Sequence, residues 1–313
     1  MLVGAAACGG AAPADDGADA APGVDATPLG PDAWVPTWPV RELVPLQIAH
    51  GAFPAAGAAP NVLVGIPRGY RADAPLDVVV FLHGWYNCVT NAIGDANTPC
   101  SAGGPARQAY EVVSQLEASG RSALVVAPEL RVDQGSSDPG ALVTPGQFAA
   151  LLDDVMTALA DRLPQTIADL GHVIVAEHSG GYWATAGILA NGGVDVDEVW
   201  LLDGLYGEFA TFDGWVGDAA HAADFTASPP RRRFATVYSD GAGTLANSQA
   251  MADRAVAWLG DAMLDDRTTT TLAPEAYAVG GLWKHSALVH DDIPRYYLEQ
   301  LLATSVLPTT LSP

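Results

Sequence analysis

The chain has 313 residues, is 49% hydrophobic and carries a formal net charge of -22 at pH 7. That length suits one α/β domain with insertions, and the apolar fraction is enough for a sizeable core. A protein this acidic is repelled by nucleic acid and by anionic lipid surfaces, so neither is expected as a partner. No run of about 20 apolar residues occurs, which argues against a membrane-spanning helix.

The N-terminus combines a short apolar run with a cysteine. Residues 2–10 (LVGAAACGG) resemble the end of a bacterial lipoprotein signal, in which Cys8 would be lipidated after cleavage. The basic residues that precede such a run are missing, so an Ala-rich tail with an unrelated cysteine is the alternative. Residues 9–32 are mainly Ala, Gly, Pro and Asp, which predicts a disordered tether. The predicted division is 1–8 signal-like, 9–32 tether and 33–313 folded domain.

Strand-like and helix-like patterns alternate along the rest of the chain. Short apolar runs predict strands at 61–67, 76–82, 123–127, 173–175, 199–202 and 234–238, and a weaker one at 268–279. Helical patterns are found at 105–117, 148–163, 248–263 and 294–302, and in the Ala-rich run that ends at residue 190. This alternation predicts an α/β fold with a mostly parallel sheet covered on both faces. Residues 204–230 mix aromatic residues with acids and glycines and predict either a small cap or an irregular connection.

The stretch 172–190 has the pattern of a strand, a sharp turn and a helix. A β-branched run leads into His178-Ser179-Gly180-Gly181, and an Ala-rich run with helical propensity follows. A serine on such a turn is pushed out above the sheet. The amide of Gly180 would lie at the positive start of a helix, where an oxyanion can be held. The alternative is an ordinary strand-to-helix turn with an incidental serine.

This stretch resembles the G-x-S-x-G nucleophile elbow of the α/β-hydrolase family. Gly181 fills the second glycine place, but Glu177 stands at the first. Glutamate is bulkier than glycine, so the turn must open toward solvent or toward a neighbour. His83-Gly84-Trp85, directly after the strand at 76–82, resembles the HG oxyanion motif of the same family. The resemblance implies that the Trp85 amide is the second oxyanion donor and that the His83 ring bonds to loop backbone.

The resemblance also implies the chain order serine, acid, histidine. A serine needs a histidine to take its proton and a carboxylate to orient the imidazole. Ser179 is the predicted nucleophile, Asp240 the acid and His290 the base. Asp203, one strand earlier, is the alternative acid, and His285 is the alternative base. His178, beside the serine, is expected to point away from it and is a poor candidate for the base.

Two cysteines lie close together in a polar loop. In an exported protein, Cys88 and Cys100 would form a disulfide that stabilises the fold by about 3 kcal/mol. The alternative is a pair of free thiols in a cytosolic enzyme. No Cys-x-x-Cys or His-x-x-Cys spacing occurs in the chain. We therefore expect neither a metal nor a cofactor.

The resemblance implies an exported serine hydrolase, either secreted or held at the bacterial envelope through a lipidated Cys8. A carboxylic ester, small or polymeric, is the expected substrate, as in carboxylesterases and lipases. Trp85, Tyr86 and Tyr182 are the candidates for an acyl or sugar pocket. Two alternatives stay open: a peptidase or amidase with the same triad, and a non-catalytic envelope protein on the same fold. The oligomeric state is not predicted.

Overall fold

The computed structural model describes residues 38–54, 60–72, 75–95, 97, 99–100, 104, 106–131 and 138–310. The signal-like segment 1–8, with Cys8, and the tether 9–32 lie outside these residues and remain predictions. Within the described ranges, no helix is both long enough and apolar enough to cross a bilayer.

Nine strands form one sheet. In chain order they are β1 (Glu42–Leu46), β2 (Val62–Ile66), β3 (Leu76–Leu82), β4 (Leu124–Pro128), β5 (Leu170–His178), β6 (Glu198–Leu202), β7 (Arg233–Ser239), β8 (Met263–Asp266) and β9 (Gly281–Ser286). Their order across the sheet is β1-β2-β4-β3-β5-β6-β7-β9-β8. The β1–β2 and β2–β4 pairs are antiparallel, and the other six pairs are parallel. The predicted mostly parallel α/β sheet is confirmed.

Helices cover the two faces of this sheet. They are α1 (Val89–Ala92), α2 (Val112–Ala118), α3 (Gln147–Ala158), α4 (Tyr182–Asn191), α5 (Phe209–Val216), α6 (Ala222–Phe225), α7 (Leu245–Leu259) and α8 (Ile293–Ala303). The apolar faces of α3 and α7 pack into one buried cluster, and those of α2 and α8 pack into another. Because the central strands are buried on both faces, their sequences are continuously apolar rather than alternating.

Several elements differ from the sequence prediction. The helix expected at 105–117 begins only at Val112, because Glu111 adopts a left-handed φ of 54° that interrupts the helical backbone. The strand expected at 268–279 is wrong, since β8 ends at Asp266 and Pro274–Tyr277 form a 3₁₀ turn. Strands β1 and β8 were not predicted, and neither was strand β9. It contains Lys284, whose burial is made possible by an ion pair with Asp266 at 2.9 Å.

The predicted cap region, 204–230, contributes mainly to the core. It contains α5 and α6, and the side chains of Phe212, Trp215 and Phe225 are buried in the same cluster as α3 and α7. Tyr206, by contrast, is exposed. Most aromatic residues of this region therefore stabilise the packing, and Tyr206 is the exposed exception.

The loop after β3 contains the predicted disulfide. Cys88 and Cys100 are bonded, with a sequence separation of 12 residues. Cys88 is also the residue that precedes helix α1. The bridge therefore ties the start of this helix to the following loop, and the prediction of a Cys88–Cys100 disulfide is confirmed.

Candidate active site

Ser179 lies on a strained turn between β5 and α4. The strand ends at His178, and a 3₁₀ turn over Ser179–Gly181 leads directly into the helix. The φ angle of Ser179 is 57°, in the left-handed region that costs a non-glycine residue about 1 kcal/mol or more. A Cβ atom on Gly181 would lie 2.7 Å from the carbonyl oxygen of Leu82, so only glycine fits there. The turn has the geometry of the predicted elbow.

The His-Gly segment after β3 lies against this turn. A Cβ atom on Gly84 would lie 2.8 Å from the Cβ of Ser179 and 3.3 Å from its Oγ. The missing side chain at residue 84 thus lets the backbone of this segment, which continues into Trp85, approach the serine. The buried His83 ring bonds to the Gly84 carbonyl and the Leu130 amide, each at 2.9 Å. His83 therefore anchors the loop, as the resemblance implied.

Asp203 is the carboxylate that contacts His290. It is fully buried after β6, has a φ of 54°, and its Oδ2 lies 2.9 Å from Nδ1 of His290. Its oxygens also accept hydrogen bonds from the Ser239 amide at 3.1 Å, the Ser239 hydroxyl at 2.5 Å and the Thr244 hydroxyl. Burial opposes ionisation, but these bonds, that of His290 foremost, outweigh it and lower the pKa of Asp203. The carboxylate is therefore ionised at neutral pH.

Asp240, the expected acid, does not contact His290. Its Oδ1 lies 3.0 Å from Nε2 of His285, and its side chain is 72% exposed. Strand β7 ends at Ser239, which directs both its amide and its hydroxyl to Asp203. Asp240 comes one residue later and lies at the surface. The expectation that Asp240 orients His290 is thus corrected, and the alternative, Asp203, occupies that place.

The two candidate histidines lie in different surroundings. His290 precedes α8, and its ring centroid lies 4.4 Å from that of His178, the neighbour of Ser179. His285 lies within β9 rather than in a loop, and its ring is stacked on Tyr238 with 5.4 Å between centroids. His285 bonds to the exposed Asp240, whereas His290 bonds to the buried carboxylate of Asp203.

The Ser179 side chain interacts with the hydroxyl of Tyr206. In the described part of the chain, no hydrogen bond joins Ser179 to an imidazole. Such bonds are often long in ligand-free enzymes and tighten when substrate binds. Burial, and then the charge of Asp203, raises the pKa of Tyr206 well above its usual range, so its hydroxyl is protonated at neutral pH. Tyr206 is therefore a neutral neighbour of the serine.

Exposed aromatic side chains follow the site residues along the chain. Trp85 and Tyr86 come after Gly84, and Trp183 comes after the elbow; all three are more than 40% exposed. Tyr182 is half-buried, and its ring centroid lies 5.9 Å from that of Tyr206. Of the predicted pocket residues, Trp85 and Tyr86 thus lie exposed at the surface, and Tyr182 is half-buried.

Several site contributors were not predicted from the sequence. Ser239 and Thr244 donate hydrogen bonds to Asp203. Tyr206 interacts with Ser179, and His178 contacts His290. The position of Ser239 at the end of a predicted strand was a usable signal. Thr244 and Tyr206 follow irregular turns, where the sequence pattern does not indicate the direction of a side chain.

Comparisons with known proteins identify a fold. No protein-family model matches the chain, and no curated protein matches it. The feruloyl esterase module of Clostridium thermocellum complexed with sinapinate superposes with a TM-score of 0.54 at 12% identity, covering 85% of this chain and 88% of that one. S-formylglutathione hydrolase from Staphylococcus aureus gives a TM-score of 0.50 at 11% identity, covering 86% of this chain and 98% of that one. The chain has the α/β-hydrolase fold.

Proposed function

We propose that the protein is a serine hydrolase that cleaves carboxylic esters through an acyl-enzyme on Ser179. The observation that supports this most is the pair of Asp203 and His290, joined at 2.9 Å. The His290 ring packs on His178, the residue before a serine with a left-handed backbone. A buried, ionised carboxylate on Nδ1 of a histidine leaves Nε2 free to accept a proton. Two proteins of similar fold are named an esterase and a hydrolase.

The proposed reaction follows from these positions. Ser179 Oγ attacks the acyl carbonyl while Nε2 of His290 takes the hydroxyl proton, and Asp203 stabilises the resulting imidazolium. The amides of Gly180 and Trp85 hold the oxyanion. His290 then protonates the leaving alkoxide, and an acyl-enzyme remains. A water molecule, deprotonated by His290, attacks this ester, and the returning proton restores the Ser179 hydroxyl as the carboxylic acid leaves.

The proposed substrate is a small or polymeric ester with an apolar or sugar-like portion. Trp85, Tyr86 and Tyr182 would bind this portion, because aromatic faces pack well on both kinds of surface. We also propose that the protein is exported, since the Cys88–Cys100 disulfide is typical of oxidising compartments. Lipidation of Cys8 as a membrane tether is part of the same proposal.

The proposal is tested by a fluorophosphonate probe together with a substrate screen. Intact protein should gain one adduct on Ser179, found by peptide mass spectrometry, and Ser179→Ala should gain none. p-Nitrophenyl esters should be hydrolysed faster than aminoacyl anilides, with full activity in EDTA. Faster anilide turnover would indicate an amidase. A folded wild-type protein that gains no adduct would indicate a binding protein on this fold.

A further inference from the structure

His178 has a specific partner on each ring nitrogen. The side chain is 2% exposed. Nδ1 lies 2.9 Å from the hydroxyl of Tyr110, and Nε2 lies 3.1 Å from the backbone carbonyl oxygen of His290. Its ring also packs on the ring of His290, with 4.4 Å between centroids and a tilt of 38°. The residue before the serine therefore contacts the proposed base at both its backbone and its ring.

These partners select one tautomer of His178. A carbonyl oxygen only accepts hydrogen bonds, so Nε2 must carry the proton that joins His178 to His290. Burial, with a further contribution from His290, lowers the pKa of His178 to about 3, so the ring is neutral at working pH. Nδ1 is then an acceptor, and the Tyr110 hydroxyl must donate to it. Burial raises the pKa of Tyr110, which keeps its proton in place.

The bond to the carbonyl matters because of where His290 lies. The residue begins a 3₁₀ turn over His290–Asp292, between β9 and α8. Asp203 holds the ring at Nδ1, but a ring held at one nitrogen still moves when its own backbone moves. His178 comes from the rigid end of β5, on the same turn as Ser179. A bond from His178 to the His290 carbonyl thus ties the backbone of the base to the element that presents the nucleophile.

We propose that His178 is a positioning residue, which fixes His290 relative to Ser179 through its Nε2–H bond to the His290 carbonyl, with Tyr110 holding the opposite ring nitrogen. The inference rests on the proposed function, in which His290 is the base. His178 cannot be the base itself, because it is buried and both nitrogens are engaged. Because the His178 ring is neutral, it does not repel the cation that forms on His290 during proton transfer.

The test separates the hydrogen bond from the volume of the ring. His178→Phe keeps a ring against His290 but removes the donor, while His178→Gln keeps an amide donor that can reach the carbonyl. We expect His178→Phe to lower kcat for a p-nitrophenyl ester by about 10- to 100-fold, as misplaced catalytic groups do, with KM changed by less than about 3-fold. His178→Gln should recover at least half of the decrease in log kcat that His178→Phe causes.

Tyr110→Phe gives a second, milder variant that leaves His178 in place. It removes the donor to Nδ1, so that the His178 ring is held at Nε2 alone and its bond to the His290 carbonyl is less well fixed. We expect a fall in kcat of about 3- to 10-fold with KM unchanged, between wild type and His178→Phe. This variant keeps the proposal testable if His178→Phe does not fold.

His221 provides a matched control. Its ring also bonds to a backbone carbonyl, that of Trp215 at 2.9 Å, and packs on an aromatic ring with 5.5 Å between centroids. His221→Phe and His221→Gln should leave kcat unchanged.

The outcomes distinguish the inference from the proposed function. The wild-type protein is first labelled with the fluorophosphonate, and failure of that labelling removes the proposed function itself. If labelling succeeds but folded His178 and Tyr110 variants keep the wild-type kcat, only the positioning role is overturned. The same holds if His178→Gln is as slow as His178→Phe, because ring packing alone would then explain the effect.

Discussion

Asp203 and Asp240 show how two similar residues acquire different roles. Each follows a strand at the same edge of the sheet, and each contacts a histidine. Asp203 is fully buried and receives bonds from Ser239 and Thr244, so its charge is compensated inside the protein. Asp240 is largely exposed to water, where an ion pair contributes little. The difference lies in burial and hydrogen bonding.

This contrast predicts the behaviour of two matched substitutions. Asp203→Asn removes the charge that orients His290 and should lower kcat/KM for an ester by about 10³- to 10⁴-fold. Asp240→Asn should change it by less than about 3-fold. Initial rates with a p-nitrophenyl ester, on variants whose folding is checked by circular dichroism, measure both. A large loss in Asp240→Asn alone would return the acid role to Asp240.

Glu177 occupies the place of the first glycine in the G-x-S-x-G elbow motif. The structure shows which neighbour makes room for its side chain. Its carboxyl group packs directly against Gly204, where any side chain would collide with it. The sequence required the turn to open toward solvent or a neighbour, and the neighbour is this glycine. Glu177 is fully buried, and among the described residues neither of its oxygens has a hydrogen-bond partner. Burial, and then the charge of Asp203, raises its pKa well above the usual range.

A raised pKa makes Glu177 destabilising as pH increases. In the unfolded chain the group ionises near its ordinary pKa, whereas the folded protein keeps it protonated, so stability is lost as pH rises from that value to the folded pKa. Glu177→Gln keeps the shape without the titration. The difference in Tm, variant minus wild type, should therefore grow by a few degrees between pH 4 and pH 8 in thermal denaturation. A difference that stays constant or shrinks over this range would contradict the assignment.

At the scale of elements, the loop after β3 depends on its disulfide. Cys88 precedes α1, and the bridge closes a short segment in which Val89, Ala92 and Ile93 are buried. The covalent link adds to this apolar packing by restricting the unfolded chain.

Removal of this bridge should weaken the protein without abolishing the fold. We expect Cys88→Ser with Cys100→Ser to lower the free energy of unfolding by about 3 kcal/mol, on the chain-entropy estimate for a loop of this length. Urea denaturation followed by tryptophan fluorescence measures the change. Reducing agent should shift the wild-type midpoint in the same direction and leave the double variant unaffected. An equal shift in both would show that the reductant acts elsewhere.

Strand β9 explains why the C-terminal part of the sheet was hard to predict. Its sequence includes Lys284 and His285, residues that are typical of loops and surfaces. In the folded protein the Lys284 ammonium group bonds to Asp266 at 2.9 Å and to the Thr268 carbonyl at 2.7 Å, both in or just after the neighbouring strand β8. Such compensation comes from a residue 18 positions away, and no local pattern indicates it.

At the scale of the whole molecule, the parallel sheet brings the residues of the candidate site together. Gly84, Ser179, Asp203 and His290 follow β3, β5, β6 and β9, and the carboxyl ends of parallel strands lie at one edge. These segments span more than 200 residues of sequence. The alternation of strands and helices therefore explains how distant residues meet, and the apolar runs of the sequence indicate most of it.

The sequence by itself determined the α/β architecture, the position of the elbow and the small set of residues from which an acid and a base could come. These features depend on local periodicity, glycine placement and chain order, which act over a few residues. Only the tertiary structure decided between Asp203 and Asp240 as the partner of His290. It also paired His285 with Asp240 at the surface and packed His178 on His290. Those choices depend on burial and on hydrogen bonds between strands that are neighbours in space but not in sequence.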